Sequence, residues 1–165
     1  MESKTALLLK KAIDYNKGDA RRISHLVKVY AFSELIGISE GINCKTLDIL
    51  NAAAILHDIG IHECERKYNN TSGKYQEVEG PPVAEKILSE LDYSDFEKER
   101  ICWLIAHHHT YSSIDSLDYQ ILVEADFLVN IFEDNMSVKQ IEKIKSKIFK
   151  TKSGIDLLDT MYLNN

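Results

Sequence analysis

The sequence predicts an all-α fold, and three features carry that prediction. Prolines number two, adjacent at Pro81-Pro82, and seven glycines are spread over 165 residues, so few positions force the backbone out of a helix. Apolar residues recur at helical spacing through most of the chain. With 44% hydrophobic and 28% charged side chains over 165 residues, the chain has the size and balance of one soluble domain able to bury a sizeable core.

Eight helices are expected, at about 4–15, 18–37, 45–59, 81–92, 94–108, 117–134, 137–149 and 154–163. The first carries the short apolar stretch Ala6 to Leu9 ahead of Lys10-Lys11. Gly18-Asp19 punctuates the start of the second. The third is the apolar run ending in AAAILHDIG. The stretch 60–80, GIHECERKYNNTSGKYQEVEG, is polar and rich in Asn, Gly and Lys, and is expected to be a long irregular loop of the functional or mobile kind. Pro81-Pro82 then suits a first helical turn, where a missing N–H costs nothing. Ser94 and Glu97 have capping-box spacing, each side chain satisfying a free backbone N–H at the helix start. The helix over 117–134 holds the most continuous apolar stripe, and Ser137 punctuates the next, whose KQIEKIKSK reads as the solvated face of an amphipathic helix. The segment 154–163 closes the chain as a short helix. No internal repeat or interdomain linker interrupts this order, so one domain over 1–165 is expected.

Composition also excludes function classes. The formal net charge is −6, with 26 acidic against 20 basic side chains, and no Lys/Arg block marks a polymeric nucleic-acid partner. A small phosphorylated ligand such as a nucleotide remains compatible. Cys44, Cys64 and Cys102 form no C-x-x-C pair, which fits a reducing cytoplasm. The N-terminal apolar stretch is too short for a signal-peptide core or a membrane span. Composition leaves oligomeric state open, a homodimer included.

Four positions break the apolar logic of their helices. In AAAILHDIG, His57 and Asp58 end a run that is otherwise buried, although a buried ionised carboxylate is costly unless something positive meets it. In RRISHLVKVYAF, helical spacing places His25 on one face with Val29 and Phe32, one turn after Arg21 and Arg22. In YQILVEADFLVNIF, Asp126 shares a stripe with Leu122, Val123 and Val129, so its carboxylate points inward. In WLIAHHHTY, three histidines, His107 to His109, close an apolar helix. Taken singly, each has an ordinary structural explanation: a hydrogen-bonded core histidine, a carboxylate buried against Arg21 or Arg22, a solvated helix end. Taken together, imidazole nitrogens and carboxylate oxygens are the ligand types of Zn, Fe, Mn and related divalent ions. One metal would account for all of them.

The order His25, His57-Asp58, Asp126, each on its own helix, resembles the H…HD…D signature of the HD superfamily of metal-dependent phosphohydrolases, and HDIG is a common form of its central motif. The resemblance covers about residues 18–133, with the C-terminal helices 137–163 outside it. It implies a single HD-domain helical bundle of seven or eight helices in which His25, His57, Asp58 and Asp126 bind one metal ion. Some HD enzymes, such as the symmetrical diadenosine tetraphosphate hydrolases and the cyclic-di-GMP phosphodiesterases, bind a second metal through further histidines. His107 and His108 stand where that group would be sought. Another ligand in those enzymes is a His at the start of the helix after the loop, and this sequence offers Glu79 there. The Lys that commonly follows HDIG is Ile61 here, and the GYP segment of the cyclic-di-GMP enzymes is absent.

The resemblance therefore implies a phosphohydrolase with one or two divalent ions, from among Fe, Mn, Co, Ni, Zn and Mg, acting on a phosphoester or phosphoanhydride of a small nucleotide-like substrate. Asp58 would bridge two metals or orient the nucleophile. Arg21 and Arg22 are expected at a substrate phosphate, for which Arg is suited by bidentate pairing, and Lys67 and Lys74 are further candidates for substrate contact. The alternatives are a single-metal 5′-nucleotidase and a noncatalytic helical module that binds a nucleotide.

Overall fold

A computed structural model describes residues 3–164. Among these residues the regular structure is all helical, in the order α1 (Lys4–Tyr15), α2 (Ala20–Ser39), α3 (Cys44–Leu56), α4 (Ile61–Tyr68), α5 (Gly73–Ser89), α6 (Asp95–Ile105), α7 (Leu117–Glu133), α8 (Val138–Ile148) and α9 (Lys152–Leu158), with a final π-helical turn at Asp159–Leu163. The all-α expectation holds. No helix among the described residues is long and apolar enough to cross a membrane.

Helix α3 is the axis of the bundle. Its residues Ile49 through Leu56 are all buried, the pattern of a helix covered on every side, and α1, α2, α6 and α7 pack around it. Helices α2 and α7 also pack on each other, which brings the inward faces of α2, the end of α3 and α7 together. Start signals read from the sequence operate as expected. Asp19 caps α2 by accepting from the Arg22 N–H at 3.0 Å, and Ser94 and Glu97 form a reciprocal capping box on α6. Ser137 forms one with Gln140 on α8.

The segment 60–80 differs from the expected irregular loop. It holds α4 and the first half of α5, so Pro81 and Pro82 lie inside α5 and not at its first turn. Two helical hydrogen bonds are thereby lost, an arrangement a sequence rule disfavours. Tertiary contacts override that rule. The residue before a proline avoids the helical region because its Cβ meets the proline ring, and Gly80, ahead of Pro81, has no Cβ. A second glycine permits a backbone crossing: a Cβ on Gly60 would lie 2.5 Å from Gly80 N and 2.8 Å from Gly80 Cα. The HDIG glycine is thus the point where the start of α4 rests directly on α5. Glu79 closes this contact by accepting from Lys67 Nζ at 2.5 Å and Tyr68 Oη at 2.7 Å.

The C-terminal elements are fastened by Glu124, a fully buried carboxylate on α7. It accepts from Gln120 Nε2 at 2.7 Å and from the backbone N–H groups of Lys150 and Thr151 at 2.6 and 2.9 Å. Thr151 also donates its hydroxyl to Glu124, and its Oγ1 accepts from the Gly154 N–H, capping α9. Anionic charge is favoured at a helix N-terminus.

Candidate metal centre

The site is built where α3 stops. After Leu56 the chain tightens into turns over 57–60, with Ile59 N–H donating to Leu56 O and Ile61 N–H to Asp58 O. His57, fully buried, points across to His25 of α2 and Asp126 of α7. His25 Nε2 lies 3.2 Å from His57 Nε2, 3.2 Å from Asp126 Oδ1 and 3.5 Å from Asp58 Oδ2. His57 Nε2 lies 3.5 Å from both carboxylates. The structure thus brings together the four residues of the H…HD…D pattern.

The outer hydrogen bonds show what these atoms can accept. His57 Nδ1 donates to Ala54 O at 2.8 Å, and His25 Nδ1 to Glu133 Oε2 at 3.0 Å. Each neutral imidazole carries one N–H, and with that proton on Nδ1 both Nε2 atoms present lone pairs to each other and to two carboxylate oxygens. Such a set of converging acceptors requires a cation at its centre. Protons can supply one. Burial opposes a charge on His57, but the adjoining carboxylates of Asp58 and Asp126 outweigh it and hold the imidazole up at about 9. Despite their own burial, Asp126 is held well below the carboxylate range by His25 and His57, and Asp58 is lowered by His57 and His108. A divalent ion fits the same atoms without a proton shared among them, and two nitrogens with two oxygens suit the transition metals named above.

Supporting groups fix the ligand orientation. Glu133 holds His25 and is itself paired to Lys28 Nζ at 2.6 Å, while Asn130 Nδ2 donates to Asp126 Oδ1 at 2.9 Å. Carboxylates behind a histidine are the usual means of fixing a metal ligand. Asn130 and Glu133 escaped the sequence reading, although a signal existed: they stand four and seven residues after Asp126, on the same face of α7.

The histidine cluster is resolved differently from expectation. His107 does not join the centre: its Nδ1 donates to Trp103 O at 2.6 Å and its ring stacks on Trp103 at 4.1 Å. His108 does join it, fully buried, with Nδ1 donating to Ile105 O at 2.7 Å and Nε2 3.5 Å from Asp58 Oδ1. That Nε2 is buried without a hydrogen-bond partner. His109, and not His107, accompanies His108: Asp58, His108 and His109 each offer a ligand atom within 4.8 Å of the others, a group that could hold a second ion. Successive helical residues diverge by about 100°, and only past Ile105, in the turn over 106–109, do two neighbours reach one site. Glu77 secures this turn by accepting from the His109 N–H at 3.1 Å and from Thr110 Oγ1 at 2.9 Å. Gln76 Oε1 lies 3.3 Å from His109 Nε2. Burial, with His108 adding to it, lowers His109 to about 4, so its ring is neutral near pH 7.

Glu79 also departs from expectation. Its carboxylate is taken by Lys67 and Tyr68 and lines a groove with Tyr15 and Lys86, apart from the histidines. Lys67 is consequently spent on Glu79, and neither Lys67 nor exposed Lys74 lines the metal cleft. That cleft, of about 230 Å³, opens over Asp58 and His25 and is walled by Arg21, Arg22, Thr71 and Asn130. Arg22 is engaged by Asp19 at 3.0 Å and Glu65 at 2.5 Å. Arg21 is exposed at the rim.

A family model described as HD domain matches residues 22–143. Neither the curated proteins nor the solved structures compared with the chain gave a match.

Proposed function

The chain belongs to the HD domain family, and on that premise we propose that it is a metal-dependent phosphohydrolase cleaving a phosphoester or phosphoanhydride of a small nucleotide-like substrate. The observation that carries this reading is the convergence of the cluster: Nε2 of His25 and His57, 3.2 Å apart, meet Asp58 and Asp126, while each Nδ1 is directed to an outer acceptor. His25, His57, Asp58 and Asp126 would hold one divalent ion. When bound, that ion supplies an acidified water and a polarised phosphoryl oxygen.

The remaining chemistry belongs to the chain. His57, His25 and Asp126 are buried and rigidly supported, so they bind. Asp58 is the member on the open side, its side chain about 25% exposed, and it faces both His25 and His108. It is therefore the carboxylate suited to orient the attacking water, and with His108 and His109 it would help to hold a second ion. Arg21, free at the rim, is the guanidinium suited to the substrate phosphate, while Arg22, neutralised by Asp19 and Glu65, shapes the wall. The net charge of −6 favours a small phosphorylated partner over a nucleic-acid polymer. The unpaired cysteine pattern favours the cytoplasm.

The test is hydrolysis of a panel of mononucleotides, dinucleoside polyphosphates and cyclic dinucleotides with Mn, Fe, Co, Ni, Zn and Mg each supplied. Turnover of at least one substrate, lost in Asp58→Ala with helical content retained, supports the reading. A single-metal 5′-nucleotidase would cleave only the mononucleotides. A noncatalytic module would bind nucleotide and cleave none.

A further inference from the structure

Helices α7 and α8 enclose a second groove, of about 360 Å³. Met136 and Ile144 contribute its apolar floor, the rings of Tyr111 and Phe127 stand 5.3 Å apart along it, and Lys143 and Lys147 occupy its rim. Its volume lies within the range of small-molecule sites.

The groove adjoins the metal centre. Tyr111 Oη lies 3.5 Å from His109 Nδ1. Phe127 follows Asp126 in α7 and is three residues from Asn130, which lines the metal cleft and donates to Asp126. Residues three apart are neighbours on a helix surface, so α7 lines both recesses, with Asn130 in one and Phe127 in the other. Charge is matched to an anion as well. Lys145 is committed to Asp159 at 2.6 Å, whereas Lys143 and Lys147 are exposed and form no ion pair among the described residues. In a chain of net charge −6, two such ammonium groups beside an apolar floor stand out as an anion subsite.

We propose that this groove is a second substrate subsite that takes a nucleoside phosphate, its base lying on Met136 and Ile144 against Tyr111 and Phe127, its phosphate on Lys143 and Lys147. Bases stack on aromatic side chains without regard to sequence, and Lys binds phosphate as a point charge. The inference rests on the reading of the metal cleft as a site for a nucleotide-like substrate; the groove holds the portion of that substrate that is not attacked.

The test is calorimetric titration of AMP and, separately, inorganic phosphate into the full chain in EDTA, which removes any metal-held contact to phosphate. AMP is expected to bind at least tenfold more tightly than phosphate. The double variant Lys143→Glu/Lys147→Glu, altered only at exposed positions, is expected to weaken AMP at least tenfold, and Ile144→Glu to abolish binding, with thermal unfolding confirming that each variant folds. No AMP binding by the wild type, equal affinity for AMP and phosphate, or wild-type affinity in the double lysine variant each overturns the proposal. Self-association abolished by Ile144→Glu without AMP binding also overturns it and makes the groove an interface between copies. Intact AMP binding in a protein that hydrolyses nothing refutes the metal-centre reading alone.

Discussion

Adding Mn²⁺ to the metal-free protein should raise its melting temperature, and Asp126→Asn should remove most of the rise. Asn keeps the side chain's shape beside Asn130, His25 and His57 but removes the charge that faces both imidazoles at 3.2 and 3.5 Å. A ligand present at 100 times its Kd stabilises the folded state by about 2.7 kcal/mol. Unfolding entropy near 2.1 cal/mol/K per residue gives, for 165 residues, about 0.35 kcal/mol per degree, hence a rise of about 8 °C. A hundredfold loss of affinity on removing the charged ligand brings the same Mn²⁺ concentration to the variant's Kd, where the stabilisation is about 0.4 kcal/mol and the rise about 1 °C. Differential scanning fluorimetry with and without Mn²⁺, on wild type and variant, reads both numbers. Equal shifts in the two proteins would refute the assignment of Asp126. No shift in the wild type with any of the transition ions would refute the metal centre.

Three further outcomes follow from particular contacts. Gly60→Ala places a Cβ 2.5 Å from Gly80 N, against backbone that cannot rotate away, and should cost about 3 kcal/mol in urea unfolding; a cost under 0.5 kcal/mol would mean that α4 and α5 can separate freely. Glu133→Gln, which leaves His25 Nδ1 without its charged acceptor, should weaken Mn²⁺ binding by about 10- to 100-fold in calorimetry, and unchanged affinity would remove Glu133 from the site. Burial works to raise Glu97, but Lys4 at 2.9 Å and the hydrogen bonds of Ser94 hold it down at about 2. Because its folded value is depressed, its stabilising contribution is complete above the unfolded value near 4.3 and is lost as pH falls from about 5 to 2. The loss should be on the order of 2 kcal/mol after solvent screening, and in Glu97→Gln that part of the acid slope should vanish; parallel wild-type and variant curves would contradict it.

How far the chain could be read without coordinates is clearest at the residues of the site. His25, His57, Asp58 and Asp126 announce themselves because helical periodicity is a local property, and a polar group set among apolar neighbours on an inward face needs a reason to be buried. Caps at Asp19, Ser94 and Ser137 are legible for the same cause, since donor and acceptor lie within one turn. What tertiary structure decided are the matters that depend on a partner distant in sequence. Pro81 and Pro82 sit inside α5 because Gly80 rests on Gly60, twenty residues earlier and on another element. Glu79 turns from the histidines because Lys67 and Tyr68 of α4 meet it. His109, and not His107, lies beside His108 and Asp58 because Trp103 captures one ring while Gln76 and Glu77 of α5 hold the next. The apolar stripe of α8 reads as ordinary core until the fold leaves part of it facing Tyr111 and Phe127 across an open groove. Periodicity determines which side chains turn inward; only the packing of helices determines which of those inward groups meet.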